Sequence, residues 1–335
     1  MMATNWLCCI LRSSAKKLEL RTERLGFKGL LWKPFTIFLA LNSTFLFLTQ
    51  AQTTVPSAAS VAPPSKAAPT SGTYTVVPSA NQSAPDANGW KLVRTIKLAR
   101  PGAASLDRRG NLYIADEQDN IHQYGPDGQA LNTYSPPQPG HTAQIEAWNS
   151  AKILVFYDDR QEILLLDRFM TSIAQVRLTD FLDGSIRVAT LAPDDRLWLF
   201  NESDLTLRQF DPTPQRLTLS TPLDLIIGRS KPDFRFLRQY QNNLYLVDRT
   251  SGIFVFDNLG NYRKKLPFTG LSTIGFRGDE LYYLVDNQLH YFQLYTFTER
   301  QQPLPAAVAD VRQVLIGDQY AYVITPAQIL VYQLP

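Results

Sequence analysis

The sequence predicts an all-β protein, a six-bladed β-propeller of four-stranded antiparallel blades. Three observations carry that expectation. A pair of short apolar strands recurs six times, with steps of 37 to 47 residues between copies. Several of those strands are apolar at every position instead of alternating with polar residues. The last copy also ends without a fourth strand, while a strand-like segment stands ahead of the first copy. A period near 40 with several strands per unit is the mark of a propeller blade.

The chain has 335 residues, 44% hydrophobic and 19% charged, the composition of an ordinary globular protein. Its formal charge of +3 is unevenly placed. Residues 1–51 hold seven basic and two acidic side chains, a surplus of +5, so the rest carries −2. A slightly acidic remainder has no electrostatic footprint for nucleic acid. Only Cys8 and Cys9 occur, both ahead of the first long apolar run. Once that leader is removed, disulfides, Cys-based zinc sites and Cys nucleophiles are excluded.

Residues 1–51 read as a signal peptide with a long basic leader. Phe35–Leu48 is an apolar run of signal-core length, short for a spanning helix of about 20 residues. Small Ala51 marks the expected cleavage point; an uncleaved membrane anchor is the alternative. The expected address is export, to the periplasm, the outer surface or the medium. Residues 52–89 are rich in Ala, Pro, Ser and Thr and are expected to form a disordered linker, because so few large apolar residues cannot offset the entropy of folding. Residues 90–335 are expected to be the propeller.

Within 90–335 the first strand of each pair reads Asn111–Asp116, Lys152–Tyr157, Arg196–Asn201, Asn243–Asp248, Glu280–Val285 and Tyr320–Thr325. The second reads Ile121–Tyr124, Ile163–Leu166, Leu207–Phe210, Ile253–Phe256, Leu289–Phe292 and Ile329–Tyr332. Strands such as Ile253–Phe256 are apolar on both faces, as required of blade interiors covered on both sides by neighbouring blades. Gly102–Leu106, Ile186–Leu191 and Phe234–Gln239 are expected as innermost strands. Ala130–Tyr134, Ile173–Arg177, Arg216–Ser220, Tyr262–Leu266 and Tyr295–Glu299 are expected as outermost ones. Residues 90–98 are expected to pair with Ile329–Leu334 and close the ring, so that only short edges remain. Leu178–Gly184 is expected to form one helical turn, and the apolar cluster Leu223, Leu225, Ile226 and Ile227 to pack over the ring, with a partner surface as the alternative. Trp148 and Trp198 read as core.

The copies Asp107–Asp116, Ile121–Gly128 and Asn243–Gly260 resemble the six-bladed NHL and TolB-like propellers of bacterial envelopes, with Tyr157 and Thr325 departing from the Asp or Asn at the strand end. The resemblance covers the whole folded part, but its motif is structural. It implies a binding platform for protein, peptide or glycan in some members and a lactonase or lyase in others, so it does not select a function.

Candidate chemistry falls on the turns between the paired strands, which should ring one mouth of the central channel. These turns hold Asp116, Glu117, Asp158, Arg160, Asn201, Glu202, Asp248, Arg249, Asp286 and Asn287, a mostly acidic face studded with Arg. Loops held on a rigid scaffold are favoured binding places. Asp and Asn also end strands simply because their side chains bond turn backbone. Arg187, Arg235 and Arg238 lie on or beside innermost strands, placed either to meet an anion in the channel or to pair with carboxylates such as Asp233. Glu146 is the one carboxylate expected on an innermost strand. Asp116, Asp119 and Asn120 match no defined calcium loop. His122 and His290 occupy slots that hold Leu or Phe in other blades and read as packing; His141 reads as exposed. No metal site, catalytic residue or cofactor is expected. The reading is a monomeric, exported, non-catalytic module binding a protein, peptide or cell-envelope ligand. A hydrolase or lyase acting at the channel mouth is the alternative.

Overall fold

The computed structural model describes residues 86, 89–149, 151–228, 231–306 and 308–335. The expected signal peptide and nearly all of the expected linker lie outside the described residues.

Twenty-four strands form six four-stranded antiparallel sheets arranged as blades. The first blade holds β2 (Ala104–Leu106), β3 (Leu112–Ala115), β4 (Ile121–Tyr124) and β5 (Ala130–Tyr134). The second holds β6 (Thr142–Glu146), β7 (Ile153–Tyr157), β8 (Glu162–Leu166) and β9 (Ser172–Arg177). The third runs β10 (Ile186–Leu191), β11 (Leu197–Asn201), β12 (Thr206–Asp211) and β13 (Arg216–Pro222). The fourth runs β14 (Phe234–Tyr240), β15 (Asn243–Asp248), β16 (Gly252–Asp257) and β17 (Tyr262–Leu266). The fifth comprises β18 (Gly275–Arg277), β19 (Glu280–Val285), β20 (Gln288–Gln293) and β21 (Glu299–Pro303). The sixth comprises β22 (Gln313–Ile316), β23 (Tyr320–Ile324) and β24 (Gln328–Gln333), and its outer strand is β1 (Lys91–Lys97).

The closure uses the expected pair of strands. β1 runs antiparallel to β24 from Lys91 opposite Gln333 to Lys97 opposite Gln328. Pairing β1 with β24 covers an edge that each strand would otherwise expose. Arg94 also ties β1 to the first blade, its Nε donating to the Asp127 carbonyl at 2.9 Å.

Burial explains the lack of alternation. Every residue of β7 and of β16 is buried. The apolar core divides into six clusters, one at each interface between neighbouring blades. β16 shows the arrangement well: Ile253 and Val255 face the fifth blade, while Phe254 and Phe256 face the third. Strand periodicity therefore sends alternate side chains to two different interfaces, both dry.

Outer strands carry one wet face and are largely exposed. In the fifth blade this misleads the sequence reading. The outer strand is Glu299–Pro303, not Tyr295–Glu299. Tyr295 belongs to a wide turn in which Phe297 takes a φ of 58°, and both aromatics are exposed. The strand itself has no large apolar side chain, so its aromatic neighbours look more strand-like than it does.

Leu178–Asp180 forms the expected single turn, a 3₁₀ helix. The cluster after the third blade splits in two. Leu223 and Ile227 of a one-turn helix α1 (Asp224–Ile227) and its entry are buried, whereas Leu225 is 91% exposed. Trp198 is fully buried, as expected; Trp148 is not, and lines the axial cavity instead.

Candidate functional site

Each blade presents two kinds of turn, on opposite faces of the ring. The turns joining second to third strands carry most of the acidic residues expected to bind ligand. Several of those side chains turn back onto their own backbone. The Asp116 carboxylate accepts the Gln118 and Asn120 N–H groups at 2.8 and 2.9 Å, the Asn120 amide at 3.0 Å, and faces His122 Nε2 at 2.9 Å. Burial pushes its pKa up, but the bonds from His122, Asn120 and the turn backbone outweigh burial and bring it to about 2. Asp107 and Asp257, on the other face, repeat the device with Asn111 and Asn261. Asp248 is fully buried and accepts from the Asp233 N–H and from Thr250 and Ser251; these bonds outweigh burial and lower its pKa. Asn201, 1% exposed, bonds the Asp183 carbonyl and the Ser203 N–H.

The remaining turn residues lie at the surface. Glu117 pairs with Arg100 at 2.6 Å, and Glu202 sits 3.8 Å from Arg187, whose Nε donates to the Phe234 carbonyl. Asp158 meets the exposed His141 at 2.7 Å, an interaction that raises the imidazole pKa. Arg160 bonds Glu162 at 2.9 Å and lies over the Tyr157 ring. Asp286 and Asn287, both at positive φ, form the tight turn of the fifth blade. They border a cavity of about 240 Å³ with Tyr283, Arg312 and Gln313. Arg249 is exposed. Arg235 pairs with Asp233 at 2.7 Å and does not line the axial cavity.

The axial cavity opens on the opposite face, where turns join first to second strands. It has a volume of about 200 Å³, and its lining includes Arg108, Trp148, Phe236, Arg238, Phe276 and Arg277. Arg238 is the only one of the three inner-strand arginines to reach it. The guanidinium carbons of Arg108 and Arg238 lie 5.4 and 5.6 Å from the centre of the Trp148 ring. Trp148 packs edge-on against Tyr240, which stacks on Phe276 at 4.3 Å. The Tyr240 hydroxyl bonds the Gly278 carbonyl at 2.6 Å, which joins the inner strand of the fourth blade to the turn of the fifth.

Behind this mouth lies Glu146, buried at the end of β6. It accepts the Thr190 hydroxyl at 2.5 Å and stands 3.7 Å from Arg238 Nε. Burial raises its pKa; Arg238, Thr190 and the Leu191 N–H oppose that rise. Thr190 also takes the Gln239 N–H at 3.4 Å, so three inner strands are fastened at this point.

Of these residues, the sequence reading flagged Arg238 and Glu146. Trp148 follows a buried strand and so read as core. Neither Arg108 nor Arg277 stood out as a candidate. The available signal was an arginine near the end of an inner strand or two residues beyond it in three blades. His122 is buried, but by bonds to Asp116 and Thr133 at 2.9 and 3.0 Å as well as by packing. Among the described residues no group of three His, Cys, Asp or Glu side chains is placed to hold a metal ion.

No family model matches the chain, and no curated protein matches it in sequence. Solved structures match in fold. Virginiamycin B lyase from Staphylococcus aureus aligns over 73% of this chain and 100% of its own, at 11% identity and TM-score 0.54. The Cps50 (Swd1) β-propeller domain of Myceliophteria thermophila aligns over 73% and 100%, at 10% identity and TM-score 0.51. YCF48 bound to D1 peptide aligns over 76% and 100%, at 12% identity and TM-score 0.50. The chain is a six-bladed β-propeller. At these identities the likeness establishes the fold alone, and the three neighbours include both an enzyme and a peptide-bound protein.

Proposed function

We propose that the protein is an exported propeller of the NHL and TolB-like type that binds a protein, peptide or cell-envelope ligand without transforming it. One observation carries the binding reading. The axial cavity is a pre-formed concave surface lined by three arginines and an aromatic wall, and such surfaces are the usual ligand sites. The polar turn residues support it by contrast: Asp116, Asn201 and Asp248 are occupied in holding their own turns. The peptide bound to YCF48 and the lyase activity of the Staphylococcus protein show that ligands of either fate sit on this fold. Export rests on the basic leader, the apolar run 35–48 and the small residue that follows. The envelope-propeller type rests on the strand-and-turn repeats 107–128 and 243–260.

The test is capture from cell-envelope extract on the immobilised full chain, followed by mass analysis of what is retained before and after prolonged incubation. The reading expects a specific ligand, recovered chemically unchanged. Recovery of nothing specific would remove the binding reading, and recovery of a cleaved or rearranged ligand would move the assignment to the hydrolase or lyase class.

A further inference from the structure

We propose that the Arg108–Trp148–Arg238–Arg277 mouth binds an oxyanion, a carboxylate or a phosphate, carried on a flat apolar body. This deepens the binding reading and rests on it.

The mouth holds unfilled hydrogen-bond donors. The Arg238 side chain is only 13% exposed, yet its guanidinium makes no hydrogen bond among the described residues, and its Nε is wholly buried. The nearest carboxylate oxygen, on Glu146, is 3.7 Å away, beyond hydrogen-bond reach. Arg108, exposed at the rim, has no hydrogen bond and no carboxylate partner among the described residues and lies over the Trp148 ring. Arg277 makes one bond, at 3.3 Å, to the Asp318 carbonyl. Three guanidiniums around one small cavity repel each other, and a buried charge with empty donors is costly. An oxyanion between them relieves both penalties, since planar guanidinium forks match carboxylate and phosphate oxygens in pairs.

The acids on the same wall do not do this. Asp107 lines the cavity but already accepts the Arg109 and Asn111 N–H groups and the Asn111 amide. Asp318 is exposed on the rim and offers Arg277 its carbonyl. Glu146 is engaged by Thr190 and the Leu191 N–H and positions Arg238 from behind. The lining itself holds three guanidiniums against two carboxylates, and Glu146 faces only Arg238, from behind. The walls of the mouth, Trp148, Phe236 and Phe276, are flat and apolar and set the rest of the ligand's chemistry.

The experiment titrates the full-length protein with benzoate, phenyl phosphate, inorganic phosphate and benzyl alcohol. The readout is tryptophan fluorescence, corrected by subtracting the same titration of Trp148→Phe. Trp90 and Trp198 are 1% and 0% exposed, and the subtraction removes the signal of Trp6 and Trp32, which lie outside the described residues. We expect saturable quenching by benzoate or phenyl phosphate. It should be at least tenfold weaker with benzyl alcohol, weakened at least tenfold in Arg108→Gln and in Arg277→Gln, and reduced by salt. The stronger of the two aromatic anions identifies the oxyanion. Equal binding of inorganic phosphate and phenyl phosphate would overturn the apolar half of the proposal. No saturable signal from any anion, or binding unchanged in both Gln variants with near-ultraviolet circular dichroism intact, would overturn all of it. An envelope ligand still captured by the Arg108→Gln, Arg277→Gln double variant would leave the module reading standing and the mouth refuted.

Discussion

Deleting residues 90–98 should abolish the cooperative unfolding transition. The segment contributes to two interfaces at once. Trp90, 1% exposed, packs with Tyr332 of the sixth blade and with residues of the fifth. Ile96 and Leu98, 3% and 4% exposed, enter the cluster between the sixth and first blades beside Leu112, Ile114 and Tyr322. Burying each such side chain is worth about 1.5–3 kcal/mol, so the three together supply on the order of 5–9 kcal/mol. Six register pairs with β24 add backbone bonds at about 1 kcal/mol each. These sums approach or exceed the net stability of a typical domain, about 5–15 kcal/mol. Deletion also leaves β24 as a bare edge, open to pairing between molecules. The assay is calorimetry with size-exclusion chromatography, and Ile96→Ala serves as the graded version, expected to cost about 2–5 kcal/mol. A deleted protein that stays monomeric with an unchanged transition would refute the closure argument.

Three further outcomes follow from the same geometry. The Tyr322 hydroxyl lies 2.8 Å from the Gly110 and Pro126 carbonyls and 3.0 Å from that of Gly125, so it joins the sixth blade to two turns of the first; Tyr322→Phe should cost about 1–3 kcal/mol by chemical denaturation. Gly252 has a φ of 118°, and an added Cβ would collide with the Leu266 carbonyl, so Gly252→Ala should cost about 2–5 kcal/mol, while Gly270→Ala, with open space around it, should cost only the strain of positive φ. Asp116 has a depressed pKa, so its contribution is present above the usual carboxylate value and is lost as pH falls from about 4 towards about 2. Asp116→Asn should therefore flatten the loss of stability over that window; parallel pH profiles of variant and wild type would contradict the assignment.

The fold was legible because its signal is one of burial. In Ile253–Phe256 no residue is polar, since each faces one of two neighbouring blades, and that pattern survives in a single sequence. The polar strand Glu299–Pro303 has one partner and a wet face, so nothing in its composition marks it. The site was less legible for a different reason. Asp116 and Asp248 stand where a ligand face was expected, yet the sequence does not say whether a carboxylate points outward or bonds its own turn. Trp148 shows the converse. An aromatic after Glu146 and Ala147 reads as core until the blades are assembled, and only the assembled ring leaves its face beside Arg108 and Arg238. Which mouth of the channel keeps unfilled donors depends on residues from several blades at once, beyond the reach of local pattern.

The decisive question is whether ligand is held at the Arg108, Trp148 and Arg277 mouth or at the acidic turns across the ring. Capture of the envelope ligand on three immobilised full-length proteins answers it: wild type, Arg108→Gln with Arg277→Gln, and Glu117→Gln with Arg249→Gln. The account predicts retention by the first and third and loss from the second. Retention by the second with loss from the third would contradict it and return the site to the acidic face.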